Sequence, residues 1–205
     1  MEERLPILTS YFKWLEPLLK MLSVIGTFLT SNWWHLGMAG QLPEFMCPPE
    51  CVGQQDFLGL DYYWGISKSE PHRLHQLIEA SQSNFENAPA DPPGLFKVLQ
   101  RFHRWFPHQE LLIIENGCIA KADGFNRAEY LRAHLDEVER ARAAGVPVRA
   151  YICWSITSNR EWGLKFTPAS DFGLYHIELD TDAELKRVRT ESADVFESYA
   201  RKHAS

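Results

Sequence analysis

Three short apolar runs constrain the fold of this 205-residue chain more than any other feature: Asp56-Phe-Leu-Gly-Leu-Asp-Tyr-Tyr63, Glu110-Leu-Leu-Ile-Ile-Glu115 and Val146-Pro-Val-Arg-Ala-Tyr-Ile-Cys-Trp154. A short, nearly continuous apolar run is what a parallel strand covered on both faces looks like. Helical periodicity fills the intervals. Over residues 94–105, Leu95, Val98, Leu99 and Phe102 recur on one face, behind Asp91-Pro92-Pro93 as a start signal. Over residues 127–144, Tyr130, Leu131, Leu135 and Val138 share a face, with Asn126 placed to cap the start and Gly145 at the stop. A last helix over 192–203 turns Val195, Phe196 and Tyr199 inward. Strands alternating with helices predict an α/β fold with a parallel sheet.

The rest of the sequence sets limits. With 21 basic against 27 acidic residues the net charge is -6, opposite to the basic surplus of a nucleic-acid binder. The apolar stretch 15–34 is interrupted by Glu16, Pro17 and Lys20 and falls short of the ~20 predominantly apolar residues of a membrane span. It reads as a buried or partner-covered helix, and residues 1–55 as an amino-terminal helical segment ahead of one compact unit, 56–205. The opening Met-Glu-Glu-Arg lacks the positive start of a secretory leader. Cys47 and Cys51 flank Pro48-Pro49-Glu50 with no second pair to complete a zinc site, and four cysteines are too few for a disulfide framework. The expectation is a cytoplasmic protein with no metal and no cofactor. His72 and His75, three apart, fit the solvent face of a helix.

Each run ends in residues that a purely structural strand does not need: Tyr62 and Tyr63, then Glu115 and Asn116, then Trp154. In parallel α/β architectures the carboxyl ends of the strands form the active face. Aromatic faces cover the apolar side of a sugar ring and carboxylates take its hydroxyls, so this set points to carbohydrate chemistry.

Ile114-Glu115-Asn116-Gly117 resembles the Thr/Ile-Glu-Asn-Gly motif of family 1 glycoside hydrolases, the β-glucosidase and β-galactosidase family. The run 56–63 is similar to that family's Asp-Phe-Ile-Gly-Hyd-Asn-Tyr-Tyr strand. Trp154-Ser-Ile-Thr-Ser-Asn-Arg-Glu-Trp162 resembles its Trp-Ser-Leu-Leu-Asp-Asn-Phe-Glu-Trp segment, and Asp171-Phe-Gly-Leu174 stands where the family has Arg-Phe-Gly-Leu. The resemblance implies part of a (β/α)₈ TIM-type barrel, roughly strands 6–8 with their helices, and a retaining mechanism with two carboxyl groups about 5 Å apart. It puts Glu115 in the nucleophile's place, with Tyr63 donating its hydroxyl to it. Trp154, Glu161, Trp162 and Phe172 take the places that bind the sugar.

The departures matter as well. Asp61 replaces an Asn, a negative charge that would raise the pKa of the nucleophile beside it. Ser158 and Arg160 replace Asp and Phe. The family's acid/base lies in an Asn-Glu-Pro motif, and Leu15-Glu16-Pro17 shares only its Glu-Pro. Three strands, even with a fourth over residues 5–9, cannot close a barrel, and open sheet edges invite pairing with another chain. The resemblance therefore implies a β-glycoside substrate, and a homo-oligomer or a complementing half-barrel chain as partner. Activity is expected to be low or dependent on completion of the site. The alternative is a non-catalytic carbohydrate-binding or structural half-barrel. Cys118 and Cys153 are expected as small buried residues.

Overall fold

The computed structural model describes residues 54–67, 69–161 and 163–203. The expected strand over 5–9, the helix over 15–34, the Glu16-Pro17 pair, Cys47, Cys51 and Trp162 lie outside them.

From Phe57 onward the chain builds one compact unit. Its centre is a parallel sheet of β1 (Phe57–Asp61), β2 (Glu110–Asn116) and β5 (Val148–Cys153), in the order β1-β2-β5. Between β1 and β2 come α1 (Leu74–Ser81), which carries the exposed His75, and α2 (Pro92–Trp105). A two-residue hairpin, β3 (Lys121–Ala122) and β4 (Phe125–Asn126), follows β2 and leads into α3 (Arg127–Ala143). After β5 a long loop reaches a second small hairpin, β6 (Tyr175–His176) with β7 (Val188–Arg189), and α4 (Glu191–Lys202) ends the described chain.

Local chemistry sets the helix boundaries. Asp91 caps α2 by accepting from the Gly94 N–H at 3.1 Å, with Pro92 in the first turn where its missing N–H costs nothing. Asn126 and Glu129 form a reciprocal capping box on α3, each side chain taking the other's backbone N–H at 2.9 Å. Just past the end of α3, Gly145 takes φ +84°, a left-handed conformation that disfavours residues with a Cβ.

One face of the sheet is covered. Leu60, Leu111, Ile113 and Val148 bury against Leu95 and Leu99 of α2 and Val138 and Ala141 of α3. Ala128, Leu131 and Leu135 of α3 bury with Cys153 and with Ala193 and Val195 of α4, so the α4 stripe turns inward as its periodicity predicts. Cys118 and Cys153 are both buried, and burial pushes each thiol up to about 12. The opposite face is different. Phe57, Ile114 and Ile152 are 49%, 39% and 51% exposed. An apolar row of this kind on a sheet is the inner face of a barrel wall whose remaining strands are not present among the described residues.

His134 of α3 lies fully buried in the covered layer. Its ring stacks on Tyr130 at 3.9 Å and its Nδ1 pairs with the Tyr130 carbonyl at 2.8 Å, while Nε2 is buried with no partner among the described residues. Burial drives its pKa from the ordinary 6.5 down to about 4, against the opposing pull of the Tyr130 carbonyl. The unfolded chain therefore takes up a proton that the folded one refuses. This contribution to stability is complete above pH 6.5 and is lost as pH falls from there toward 4. Between pH 7 and 4.5 the loss from this residue should be about 2 kcal/mol. His134→Phe, which keeps the stacking, should remove that part of the pH dependence in urea titrations. An unchanged slope would show that other groups carry it.

Candidate active site

The site forms where β1, β2 and β5 end. Along β1 and β2 the register runs Leu60 against Ile113 and then Asp61 against Glu115, so β2 advances two residues where β1 advances one. This bulge at Ile114 puts Glu115, and not Ile114, beside Asp61. Bulges next to active sites commonly re-aim a side chain in this way. Asp61 and Tyr63 share the open face of the sheet, whereas Tyr62 is buried on the covered face and donates its hydroxyl to the Asp91 carbonyl at 2.7 Å.

The Tyr63 hydroxyl donates to Glu115 Oε2 at 3.0 Å. Burial raises the Tyr63 pKa well above its ordinary 10, and the charges of Glu115, Asp61 and Glu161 raise it further. The phenol thus keeps its proton and acts as a donor. Expected repulsion between Asp61 and Glu115 registers on Asp61, whose carboxyl is raised, by burial first and by the Glu115 charge second.

The residues of the last motif come together as well. Trp154 Nε1 donates to Glu161 Oε1 at 2.7 Å, and Asn159 Nδ2 donates to the same oxygen at 2.5 Å. Glu161 is 5% exposed. Phe172, 4% exposed, meets Tyr63 edge-on at 6.1 Å and packs on Phe85 in turn, so it reaches the site through Tyr63. Tyr63, Trp154 and Phe172 belong to one aromatic cluster that also holds Trp64 and Tyr130. Two of the departures are structural: Ser158 Oγ accepts from the Ile177 N–H at 2.9 Å, and Arg160 pairs with Asp180 on the surface.

Behind these groups lies a polar network. Asn116, with no exposed surface, donates from Nδ2 to the Tyr62 carbonyl and to the Tyr130 hydroxyl, and its Oδ1 accepts from the Tyr151 hydroxyl. The Tyr130 hydroxyl donates to the Tyr63 carbonyl at 2.5 Å. One amide thereby ties β1, β2, β5 and α3 together directly behind Glu115. Arg127, also buried, donates to the carbonyls of Cys118, Asp171 and Gly173, which fixes the loop carrying Phe172. Sequence reasoning took Tyr130 and Tyr151 as core and passed over Asn159 and Arg127. The signal available was the chemistry itself, since a buried tyrosine needs a partner for its hydroxyl.

Residues 11–205 match the model of glycosyl hydrolase family 1. The chain belongs to this family. Among its curated relatives is the 1,4-beta-D-glucan glucohydrolase of Thermotoga neapolitana, 30% identical over 63% of this chain and 33% of that protein. The beta-galactosidase of Saccharolobus solfataricus is 36% identical over 74% of this chain and 34% of that protein. Among solved structures, the beta-glycosidase of Thermosphaera aggregans superposes with a TM-score of 0.56 at 25% identity, covering 75% of this chain and 33% of that one. The family member thus spans about a third of the relatives it matches, and among the described residues its fold is a partial α/β barrel that is not closed.

Proposed function

We propose that this chain carries the nucleophile side of a retaining β-glycosidase site acting on β-glucosides or related β-glycosides. The observation that carries the reading is the Tyr63–Glu115 hydrogen bond of 3.0 Å at the end of a barrel strand, next to the Trp154–Glu161 pair. Glu115 attacks the anomeric carbon and forms a glycosyl ester, while the leaving oxygen departs with a proton. Tyr63 holds the attacking carboxylate in position, Trp154 offers an indole face to the ring, and Glu161, with Trp162 beside it in sequence, takes sugar hydroxyls. Family membership and the named activities of the relatives support the reaction class. The open apolar face at Phe57, Ile114 and Ile152 and the edges of β1 and β5, unpaired among the described residues, support completion of the barrel by a second chain, either another copy or a complementing half.

The test is covalent trapping. A 2-deoxy-2-fluoro β-glucoside with a dinitrophenyl leaving group forms its ester quickly and hydrolyses slowly. Peptide mapping after incubation should find the sugar on Glu115. Saturable glucose binding with no label would instead leave a carbohydrate-binding half-barrel.

A further inference from the structure

We infer that Asp61 is the proton-carrying partner of Glu115: it protonates the departing glycosidic oxygen and then deprotonates the water that releases the sugar. The inference rests on Glu115 as nucleophile. Five observations carry it.

Asp61 and Glu115 are register partners on adjacent parallel strands, and such strands lie about 4.8 Å apart. Side chains that leave that backbone spacing on one face of the sheet can hold their carboxyl groups at the 5–5.5 Å of a retaining mechanism. Asp61 ends β1 and Glu115 is the penultimate residue of β2, and the bulge at Ile114 is what brings them level. Asp61 is exposed on the open side of the sheet, where a leaving group and a water can reach it. Of the carboxylates at this end of the sheet, Glu161 is held by two N–H donors and Glu115 accepts from Tyr63. Asp61 has no such donor among the described residues. Its surroundings also favour the protonated form: partial desolvation acts first, and the Glu115 charge adds to it. Among the described residues the titratable groups acting on it are the Glu115 carboxylate and the Tyr63 phenol, and neither is a cation.

The steps balance. In the first, a Glu115 oxygen bonds to the anomeric carbon, the bond to the aglycone oxygen breaks, and that oxygen leaves with the Asp61 proton. In the second, water attacks the same carbon, the Glu115 ester bond breaks, and Asp61 regains a proton from the water. Each carboxyl ends as it began.

The experiment uses the 205-residue chain and 2,4-dinitrophenyl β-glucoside, whose leaving group needs no proton. Asp61→Ala should release a burst of dinitrophenolate equal to the enzyme and then turn over about 100-fold or more below wild type, because water at the ester lacks its base. Azide, a nucleophile that needs no deprotonation, should restore turnover and yield β-glucosyl azide. Asp61→Asn should show the same burst and slow phase with the shape of the side chain kept. A steady rate within threefold of wild type, or a loss with neither burst nor azide product, overturns the assignment. Trapping on wild type separates the two readings. Label on Glu115 with an azide-insensitive Asp61→Ala removes Asp61 alone, and no label on Glu115 removes both.

Discussion

Glu115→Gln is expected to lower turnover of an aryl β-glucoside by about 10³-fold or more while leaving the fold intact. Gln has the same length and volume, and its amide oxygen can still accept the Tyr63 hydroxyl, so the aromatic cluster around Tyr63 and Phe172 keeps its packing. What disappears is a nucleophilic oxygen able to carry the sugar as an ester. The loss should fall on kcat, since the proposed function gives binding of the ring to Trp154 and Glu161, which the change does not touch. Tyr63→Phe provides the scale. It deletes one hydrogen bond to a carboxylate, worth about 1.5–3 kcal/mol, so turnover should fall about 10–150-fold. A Glu115→Gln protein that keeps wild-type turnover would mean that the attacking group lies elsewhere. A loss matched by a lower melting temperature would mean that Glu115 holds the strand end together instead of acting on substrate.

How far the sequence carried this site depends on the range of the interactions involved. The strands and the two helices over 92–105 and 127–143 were legible because their determinants are local: aliphatic runs, Asp91 before two prolines, Asn126 three residues ahead of Glu129. The pairing of Tyr63 with Glu115 and the grouping of Trp154, Glu161 and Phe172 came through motifs, in which spacing along the chain stands for proximity. The bulge at Ile114 was invisible, because nothing in Ile113-Ile114-Glu115 says that β2 gains a residue on β1. Strict alternation would put Ile114, and not Glu115, opposite Asp61. The Asn116 network was hidden for a related reason. Tyr130 and Tyr151 look like core in a periodic pattern and Tyr62 like a site residue at a strand end, and only the folded chain brings two hydroxyls and the Tyr62 carbonyl to one amide. Arg127 is similar: a basic residue opening a helix reads as surface, yet it is buried against three carbonyls.

The glycine of the same motif should be as sensitive as the carboxylate, through stability. Gly117 is buried at the end of β2, where the Trp154 N–H donates to the Asn116 carbonyl at 2.9 Å and pulls the two strand ends together. A Cβ on Gly117 would fall inside the van der Waals shell of the Trp154 carbonyl oxygen, which is backbone and cannot rotate away. The chain has two ways to relieve the clash: β2 shifts and carries Glu115 off its register with Asp61, or Trp154 moves and breaks its bond to Glu161. Either outcome is overpacking against a fixed neighbour, and Gly117→Ala should cost about 3 kcal/mol. For a domain of this size that is a fall of about 6–12 °C in melting temperature. Gly124→Ala is the comparison, since a Cβ there meets nothing within 4 Å and only its φ of +84° opposes the change. Its cost should stay near about 1 kcal/mol. If the two variants melt together, close approach of strand ends does not set the price at Gly117. If Gly117→Ala alone melts early and also loses sugar binding, one missing methyl group holds both the strand ends and the indole platform in place.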